Sequence, residues 1–296
     1  MNWFSIATVA YLLNAGAALV DKVLLRRLVP HPAVYAFFVS VLGGVVVLAA
    51  PFVLQAAAAN IILASLGSGV LFTAALFLFY TALRKGETLR VVPLVGSATP
   101  VFVLALAWMM LGETLTAAQL VGLALVVLGT FFLAREGSGG RMTARLVMEG
   151  SVAALLFAAS HVAAKFVYLH HPFLSGLVWR GIGGILGALL LLAFSSNRRN
   201  IREALSHPVL STGALFFVGQ ALAAVSFFLV NYAFSLGPVT LVNALTGIQY
   251  AFLFAAVYTL SRFFPQVLHE SHTPRTVAAK VVGILLVSGG IAALFI

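Results

Sequence analysis

Three side chains that can carry a positive charge lie inside long apolar stretches of the sequence, at His161, Lys165 and Arg180. Arg180 is the eighth residue of its stretch, which places it roughly 12 Å along a helix that rises about 1.5 Å per residue. An ionised side chain inside a bilayer costs roughly 2.5–3.5 kcal/mol on insertion scales. Arg180 therefore indicates either a site for an anionic or carboxylate-bearing ligand, or a structural pairing with a carbonyl group or an acid on another helix.

Lys165 and His161 are four residues apart, so a helix would place them on one face. Together they would form a protonatable binding or coupling site, because histidine titrates near neutral pH. The structural alternative is that Lys165 extends its ammonium group toward the nearby helix end, while His161 is hydrogen-bonded within the packing.

Uncharged polar and aromatic residues in the other apolar stretches are further candidates for a ligand site. The amides are Asn14, Gln220, Asn231, Asn243 and Gln249, and the aromatic side chains are Tyr80, Trp179, Tyr232 and Tyr250. Amides on neighbouring membrane helices either line a polar cavity or hydrogen-bond one another, a packing contact worth about 0.6 kcal/mol. The aromatic rings would stack on a ligand and fix its orientation, or they would pack in the core.

Arg90, Pro93, Ser97 and Pro100 follow one another at helical spacing. Each proline removes a backbone hydrogen bond and can kink a helix, and carbonyl groups freed at membrane depth are tolerated where they line a cavity. We therefore predict helix kinks at Pro93 and Pro100, and we include Arg90 in the predicted ligand site.

The sequence shows no pattern typical of an enzyme or of a metal site. It has no cysteine, no phosphate-binding loop, no His-Glu-x-x-His motif and no Gly-x-Ser-x-Gly elbow. Catalytic residues, metal ligands and cofactors are therefore not predicted.

The elements that must position these residues are membrane helices. Hydrophobic residues make up 62% of the chain and charged residues 8%, whereas soluble proteins have about 45–50% and about 25%. A membrane-spanning helix needs about 20 mainly apolar residues. Proline and glycine residues separate ten such spans, at residues 3–20, 33–54, 61–83, 89–111, 117–134, 146–168, 173–194, 209–236, 239–261 and 276–296.

The two halves of the sequence resemble each other. Positions that match in the same order are Lys22 with Lys165, His31-Pro32 with His171-Pro172, and Gly43-Gly44 with Gly183-Gly184. We therefore predict an all-α membrane protein built from two five-helix repeats, residues 1–136 and 145–296. Since each repeat has an odd number of helices, the second must cross the membrane in the opposite sense, which makes the repeat inverted.

Lysine and arginine residues are concentrated on one side of the predicted spans. Fifteen of the 17 lie in or beside the connections that follow spans 1, 3, 5, 7 and 9, and the exceptions are Lys165 and Arg180. The positive-inside rule places these connections in the cytoplasm and both chain termini outside.

Ten spans in two inverted halves resemble the drug/metabolite transporter superfamily, and in particular its EamA-type permeases. Gly112-Glu113 closes the fourth span, and Thr116, Gln119 and Gly122 follow, which is similar to the Gly-Glu…Gln…Gly signature of that family. The second half departs from the signature, because its His269-Glu270 lacks the preceding glycine. Many family members keep both termini in the cytoplasm, opposite to the orientation that the charges predict.

The resemblance implies a secondary transporter of small metabolites, for example amino acids or related zwitterionic or anionic compounds, that works by alternating access through a central cavity. It implies a multi-pass protein of the prokaryotic inner membrane, whose partners are a small-molecule substrate and the lipid bilayer and not nucleic acid. Glycines in spans 5 and 10 also allow a homodimer through those helices. The competing hypothesis is an integral-membrane enzyme or binding protein that grips the phosphate of a lipid-linked substrate with His161, Lys165 and Arg180.

Overall fold

The computed structural model describes residues 2–24, 31–85, 88–134, 143–206, 213–263 and 274–294, which form helices and turns without any β-strand. The helices are α1 (Trp3–Leu24), α2 (Pro32–Gly43), the 3₁₀-helix η1 (Gly44–Ala49), α3 (Ala50–Val53), α4 (Ala59–Lys85), α5 (Thr88–Leu111), α6 (Ala117–Ala134), α7 (Ala144–His170), α8 (Phe173–Leu191), α9 (Ser195–Ser206), α10 (Gly213–Leu236), α11 (Val239–Ala244), α12 (Thr246–Phe263) and α13 (Pro274–Ala293).

Ten apolar segments of these helices correspond to the ten predicted spans. Eight of them are long and apolar enough to cross a membrane, and two shorter apolar helices cover Ala117–Leu133 in α6 and Val277–Ala293 in α13. The prediction of an all-α integral membrane protein is therefore confirmed, and the number of spans agrees with it over the residues described.

The second span is not the single helix that the sequence predicts, because α2 gives way to η1 at Gly44 and to α3 at Ala50. Pro51 explains the 3₁₀ geometry. It has no N–H to donate to the Val47 carbonyl oxygen in the α-helical pattern, and the Ala50 N–H donates there instead. This span is therefore bent by its own sequence, whereas α8, the corresponding span of the second half, is continuous.

The ninth span is interrupted as well. Helix α11 ends at Ala244, Leu245 forms a turn, and α12 begins at Thr246. The Thr246 hydroxyl donates to the Asn243 carbonyl oxygen at 2.7 Å, a side-chain bond of the kind that competes with a continuous backbone ladder. In the fourth span, by contrast, α5 is one uninterrupted helix through both prolines.

One face of the molecule carries α9, a short amphipathic helix that the sequence analysis did not predict. Ile201 of α9 is buried against Ala33 at the start of α2. Arg198, Arg199 and Arg202 of the same helix are exposed. This face therefore joins the start of the second span to the end of the seventh, and α9 contributes three exposed arginines to it.

The opposite face brings together the other ends of the helices. The Gln55 N–H, which follows α3, donates to Ser175 Oγ near the start of α8 at 3.0 Å. Trp3 at the start of α1 packs so closely on Gly237, after α10, that a Cβ on this glycine would lie 2.4 Å from the indole ring. The helices thus alternate in direction in the way the predicted spans require.

Helices α6 and α13, the fifth and tenth spans, are in contact through glycines. A Cβ on Gly122 would lie 2.7 Å from the Gly290 carbonyl oxygen, and one on Gly129 would lie 2.7 Å from that of Gly283. The earlier glycine of each helix therefore meets the later glycine of the other, so the two helices are antiparallel. An inverted repeat requires this relation between its last helices, and the repeat itself stays a prediction.

The two predicted repeats share a core. The largest buried cluster contains Val103 of α5 and Val126 of α6 together with Val162 of α7 and Phe234 of α10. Residues from both halves therefore enclose the centre of the molecule, where the candidate site lies.

Candidate functional site

Arg180 is buried at the centre of the second half. It lies on α8, is 3% exposed, and contacts side chains of two neighbouring helices. Its Nη1 donates to Asn231 Oδ1 of α10, and its Nη2 donates to Ser160 Oγ of α7 at 3.1 Å. We call Arg180, Asn231, Ser160 and Tyr168 the central polar cluster.

The Asn231 side chain is fixed by three hydrogen bonds. Its Oδ1 accepts a second bond from the Tyr168 hydroxyl at 2.8 Å, and its Nδ2 donates to the Phe227 carbonyl oxygen at 2.8 Å. Asn231 is only 1% exposed, so an unpaired amide here would carry a high desolvation penalty. The result is an amide oxygen held in place toward the guanidinium group.

Ser160 is fixed by a reciprocal contact with α4. Its hydroxyl donates to the Ser68 carbonyl oxygen at 2.8 Å, and the Ser68 hydroxyl donates to the Ser160 carbonyl oxygen at 2.8 Å. Both serines are fully buried. Since α4 lies in the first predicted repeat, the central polar cluster is supported by both halves of the chain.

The guanidinium group of Arg180 has aromatic neighbours but no carboxylate. Its central carbon lies 5.4 Å from the centre of the Phe72 ring and 5.2 Å from that of Phe227, within the range of cation–π attraction. Among the residues that the structure describes, no acid pairs with Arg180, and its Nε has no hydrogen-bond partner. Because buried charges are normally paired, Arg180 has unused capacity to bind an anion.

His161 lies beside the central polar cluster. Its Nδ1 is 2.8 Å from Asn243 Oδ1 of α11. The Asn243 Nδ2 donates to the Val239 carbonyl oxygen, so Oδ1 is the acceptor and His161 Nδ1 carries the proton. The Phe72 ring centre is 6.5 Å from that of His161, which means that the imidazole and the guanidinium group flank the same aromatic ring.

Lys165 lies one turn further along α7 in a different environment. Its Nζ donates to the carbonyl oxygens of Phe234 and Gly237, at 2.8 and 2.9 Å, where α10 ends. A cation is favoured at a helix C-terminus by the helix dipole. The structure therefore brings Lys165 to the turn after α10 and not to Arg180.

Glu113 reaches the same turn from the first half of the chain. Its Oε2 accepts the Val239 N–H and its Oε1 accepts the Thr240 N–H, both at 3.0 Å. The first N–H groups of a helix have no acceptor within the helix, and Glu113 supplies one for two of them in α11. A carboxylate at this position is also favoured by the helix dipole. We call Glu113, Lys165 and the Gly237-Pro238 turn between them the turn clamp.

The position of Glu113 depends on the residue before it. Gly112 has a φ of 65° and is the only residue with positive φ in the described part of the chain. This conformation ends α5 as a glycine C-cap and favours glycine over all other residues. A cavity of about 340 Å³ lies against the turn clamp, and it is lined by Leu111, Glu113, Lys165, Leu169, Leu236, Gly237 and Pro238.

Two further predicted amides bind each other across the two halves. Asn14 Nδ2 of α1 donates to Gln249 Oε1 of α12 at 3.0 Å. The next residue, Tyr250, lies against α5, since a Cβ on Gly96 would lie 2.5 Å from its hydroxyl oxygen. Asn231, Asn243 and Gln249 therefore each bond to a side chain on another helix.

Three predicted residues lie away from the central polar cluster. Tyr232 is 37% exposed and stacks on Phe228 with ring centres 6.4 Å apart. Tyr80 packs on Tyr35 of α2 with ring centres 4.3 Å apart. Gln220 is half-buried on α10, eleven residues before Asn231.

The remaining predicted residues are Trp179, Pro100, Arg90 and Pro93. Trp179 precedes Arg180, and its indole Nε1 is buried without an acceptor in the described chain. Pro100 is buried within α5. The side chains of Arg90 and Pro93 lie outside the described residues, as does the His269-Glu270 pair.

Sequence reasoning did not find the partners of Arg180 or the role of Glu113. Ser160 and Tyr168 are eight residues apart and therefore lie on one helix face, which was a usable signal. Glu113 entered only as part of a family signature. The signal for its contact was a carboxylate placed directly after a helix-ending glycine in a chain with only seven acids.

Comparison with known families finds a match between residues 1–135 and the EamA-like transporter family. Twenty-five chains of solved structures are similar to this one. One of them, described only as a crystal structure of a protein, has 19% sequence identity and a TM-score of 0.67, and the match covers 97% of this chain and 94% of that chain. This likeness shows the fold over nearly the whole length. No curated protein sequence matches the chain.

Proposed function

We propose that this protein, whose residues 1–135 match the EamA-like transporter family, is a secondary transporter. It would move small anionic or zwitterionic metabolites, amino acids among them, by alternating access through the central polar cluster. The family match supports a membrane transporter of the drug/metabolite type. The choice of substrate class depends on the environment of Arg180.

The observation that carries this choice is a buried guanidinium group without a counter-ion. Arg180 is held by the neutral oxygens of Asn231 and Ser160, and its Nε has no partner in the described chain. A carboxylate or phosphate group would supply the missing charge and accept hydrogen bonds from the guanidinium fork. We therefore assign to Arg180 the role of binding the anionic group of the substrate.

The neighbouring side chains provide contacts for the rest of such a molecule. Phe72 and Phe227, whose ring centres are 5.6 Å apart, form an apolar wall beside the guanidinium group, and the His161 ring lies next to Phe72. The energy would come from the gradient of the substrate or of protons. Asn14, Gln249 and Asn243 belong to the polar surroundings of this route.

The first experiment identifies ligand classes. The purified protein in detergent is heated with representative amino acids, dicarboxylates, sugar phosphates and neutral sugars, because a ligand that binds the native state raises the unfolding temperature. We expect a rise with carboxylate- or phosphate-bearing compounds and none with neutral sugars. Stabilisation by neutral sugars alone would overturn the assigned substrate class.

The second experiment tests transport and the role of Arg180. A stabilising compound is taken into proteoliposome counterflow with the native protein, Arg180→Ala, Arg180→Lys and the matched control Arg198→Ala, which removes an exposed arginine of α9. We expect Arg180→Ala to lose at least tenfold in flux, Arg180→Lys to retain part of it, and the control to be unaffected. Full flux in Arg180→Ala would remove this residue from the site.

The same assay distinguishes the transport proposal from the enzyme hypothesis. Counterflow of a chemically unchanged compound supports transport, whereas product formation without flux would support an enzyme acting on a lipid-linked phosphate. Location in a prokaryotic inner membrane and a homodimer through the outer faces of α6 and α13 belong to the same proposal. Fractionation of the expressed protein tests the location, and its mass in detergent or nanodiscs tests the dimer.

A further inference from the structure

We infer that the turn clamp is the gate on the face opposite α9: it holds α11 in a closed position beside the central polar cluster, and its release admits substrate from that face. This inference rests on the proposed function, since it assigns to a transporter the element that opens one side of its site.

The turn clamp holds one turn from both directions with opposite charges. Lys165 binds the carbonyl oxygens at the end of α10, and Glu113 binds the N–H groups at the start of α11. Between them the chain consists only of Gly237 and Pro238. Each charge matches the sign of the helix end that it binds, so the closed position of the turn is stabilised as long as both contacts are made.

Helix α11 is suited to move as a unit. It has six residues and is bounded by the Gly237-Pro238 turn and by the interruption at Leu245, so it can shift without bending α10 or α12. All six residues are buried in the closed position. Its Asn243 holds the imidazole of His161. A displacement of the turn would therefore also displace a side chain that contacts the candidate substrate site.

The cavity at the turn clamp indicates the direction of entry. Its volume of about 340 Å³ is lined by the two charged residues of the clamp and by the apolar side chains Leu111, Leu169 and Leu236. It lies on the face where α1 starts and α10 ends. A small metabolite can thus reach the clamp from this face. From the clamp, contacts lead through Asn243 of α11 to His161, and from His161 to the Phe72 ring beside Arg180.

The contact made by Glu113 also joins the two halves of the chain. Glu113 follows α5 in the first predicted repeat, whereas Val239 and Thr240 begin α11 in the second. Movement of one half against the other at this face would have to break these two hydrogen bonds. Glu113 is therefore a positioning residue that acts through α11, and it does not touch the substrate itself.

The test uses a cysteine reporter, since the native chain contains no cysteine. Thr240 is fully buried, and its hydroxyl has no hydrogen-bond partner in the described chain, so Thr240→Cys removes no side-chain bond. Labelling of this cysteine by a maleimide is measured in detergent without added ligand, in the native background and with Glu113→Gln or Glu113→Ala. Glu203→Gln, which removes an exposed carboxylate of α9, is the matched control.

We expect labelling to be at least tenfold faster with Glu113→Ala, less accelerated with Glu113→Gln, and unchanged with Glu203→Gln. A second reporter, Ser40→Cys, is buried between α2 and α4, and it distinguishes gate opening from general loosening. Its labelling should stay slow in every variant. The gate proposal would be overturned if Thr240→Cys were labelled at the same rate in all backgrounds. It would also be overturned if the labelling rates of both reporters rose together.

This result is separable from the fate of the proposed function. If labelling is unchanged by Glu113→Ala while Arg180→Ala still loses metabolite-induced stabilisation, the gate is wrong and the transport proposal stands. If the gate opens as expected but no compound is moved in counterflow, the transport proposal fails and the turn clamp remains a movable element of another kind of protein.

Discussion

Arg180 and Lys165 are two buried cations in adjacent helices, and their surroundings differ in one decisive respect. Lys165 binds two backbone carbonyl oxygens at a helix C-terminus, and Glu113 stands across the same turn. Arg180 binds one amide oxygen and one hydroxyl beside two phenyl rings, without a carboxylate among the described residues. The charge of Lys165 is compensated by the protein, whereas that of Arg180 is not.

This difference separates a structural role from a binding role. Compensating a buried charge uses up its capacity to bind a ligand, and removing one partner of a compensated charge is strongly destabilising. An uncompensated cation has the opposite properties, since it destabilises the empty protein and gains most from an incoming anion. We therefore expect substitutions at Lys165 to affect mainly stability, and substitutions around Arg180 to affect mainly transport.

The largest effect on transport is expected when Arg180 is given a carboxylate. Asn231→Asp places one within reach of the guanidinium group and makes Arg180 resemble Lys165. Since a hydrogen bond to a charged group contributes about 1.5–3 kcal/mol, we expect counterflow of an anionic substrate to fall tenfold or more while the thermal midpoint rises or stays constant. Asn231→Ala is the comparison, and it should lower the midpoint while retaining more flux. The reverse order of the two variants in flux would contradict the comparison.

The largest effect on stability is expected at Lys165. Lys165→Met keeps most of the side-chain volume but leaves the carbonyl oxygens of Phe234 and Gly237 without their donor. Because a buried polar group without a partner costs about 1–3 kcal/mol, the thermal midpoint in detergent should fall by several degrees. Arg198→Met on the exposed side of α9 should leave it unchanged. A Lys165→Met protein as stable as the native one would mean that the turn does not need the cation.

A smaller effect is expected at the contact between α1 and α12. Asn14→Ala removes the hydrogen bond to Gln249, and hydrogen bonds between membrane helices contribute about 0.6 kcal/mol on average. A double-mutant cycle with Gln249→Ala should give a coupling energy of this size. A coupling energy of several kcal/mol would show that this neutral pair contributes as much to stability as the contacts of Lys165.

The smallest effect is expected at Tyr232. Its ring is stacked on Phe228 at the outer side of α10, so Tyr232→Phe should change neither flux nor the thermal midpoint measurably. Tyr168→Phe removes a hydroxyl of the same type from the central polar cluster, and it should reduce flux of the anionic substrate several-fold. Equal effects of the two substitutions would mean that the cluster does not extend to Tyr168.

The sequence was sufficient for the membrane class and the order of spans, because long apolar runs and proline or glycine turns are local features. It was not sufficient for the broken second and ninth spans. Each interruption depends on a single residue, whose effect is lost when hydropathy is averaged over a whole span. These residues are Pro51, which follows the 3₁₀-helix, and Thr246, whose hydroxyl bonds to Asn243. Helix α9 was missed because its polar residues were interpreted as a connection.

For the site, composition indicated the right kind of residues but not their pairing. Arg180, Asn231 and His161 were found because charged and amide groups are expensive inside a bilayer. Adjacent residues on a helix point in directions about 100° apart, so Asn231 faces inward and Tyr232 outward, although both were predicted to face the site. The contact of Glu113 with α11 joins residues 126 and 127 positions apart, and no local pattern contains it.

The glycine contacts between α6 and α13 have a mechanical consequence. One helix comes from each half, and the backbones approach closely at two pairs of glycines, Gly122 with Gly290 and Gly129 with Gly283. Surfaces packed this tightly do not deform gradually. If the halves rotate against each other, displacement must be least along the contact between α6 and α13 and greatest in the helices farthest from it. The axis of such a rotation would therefore lie near this helix pair.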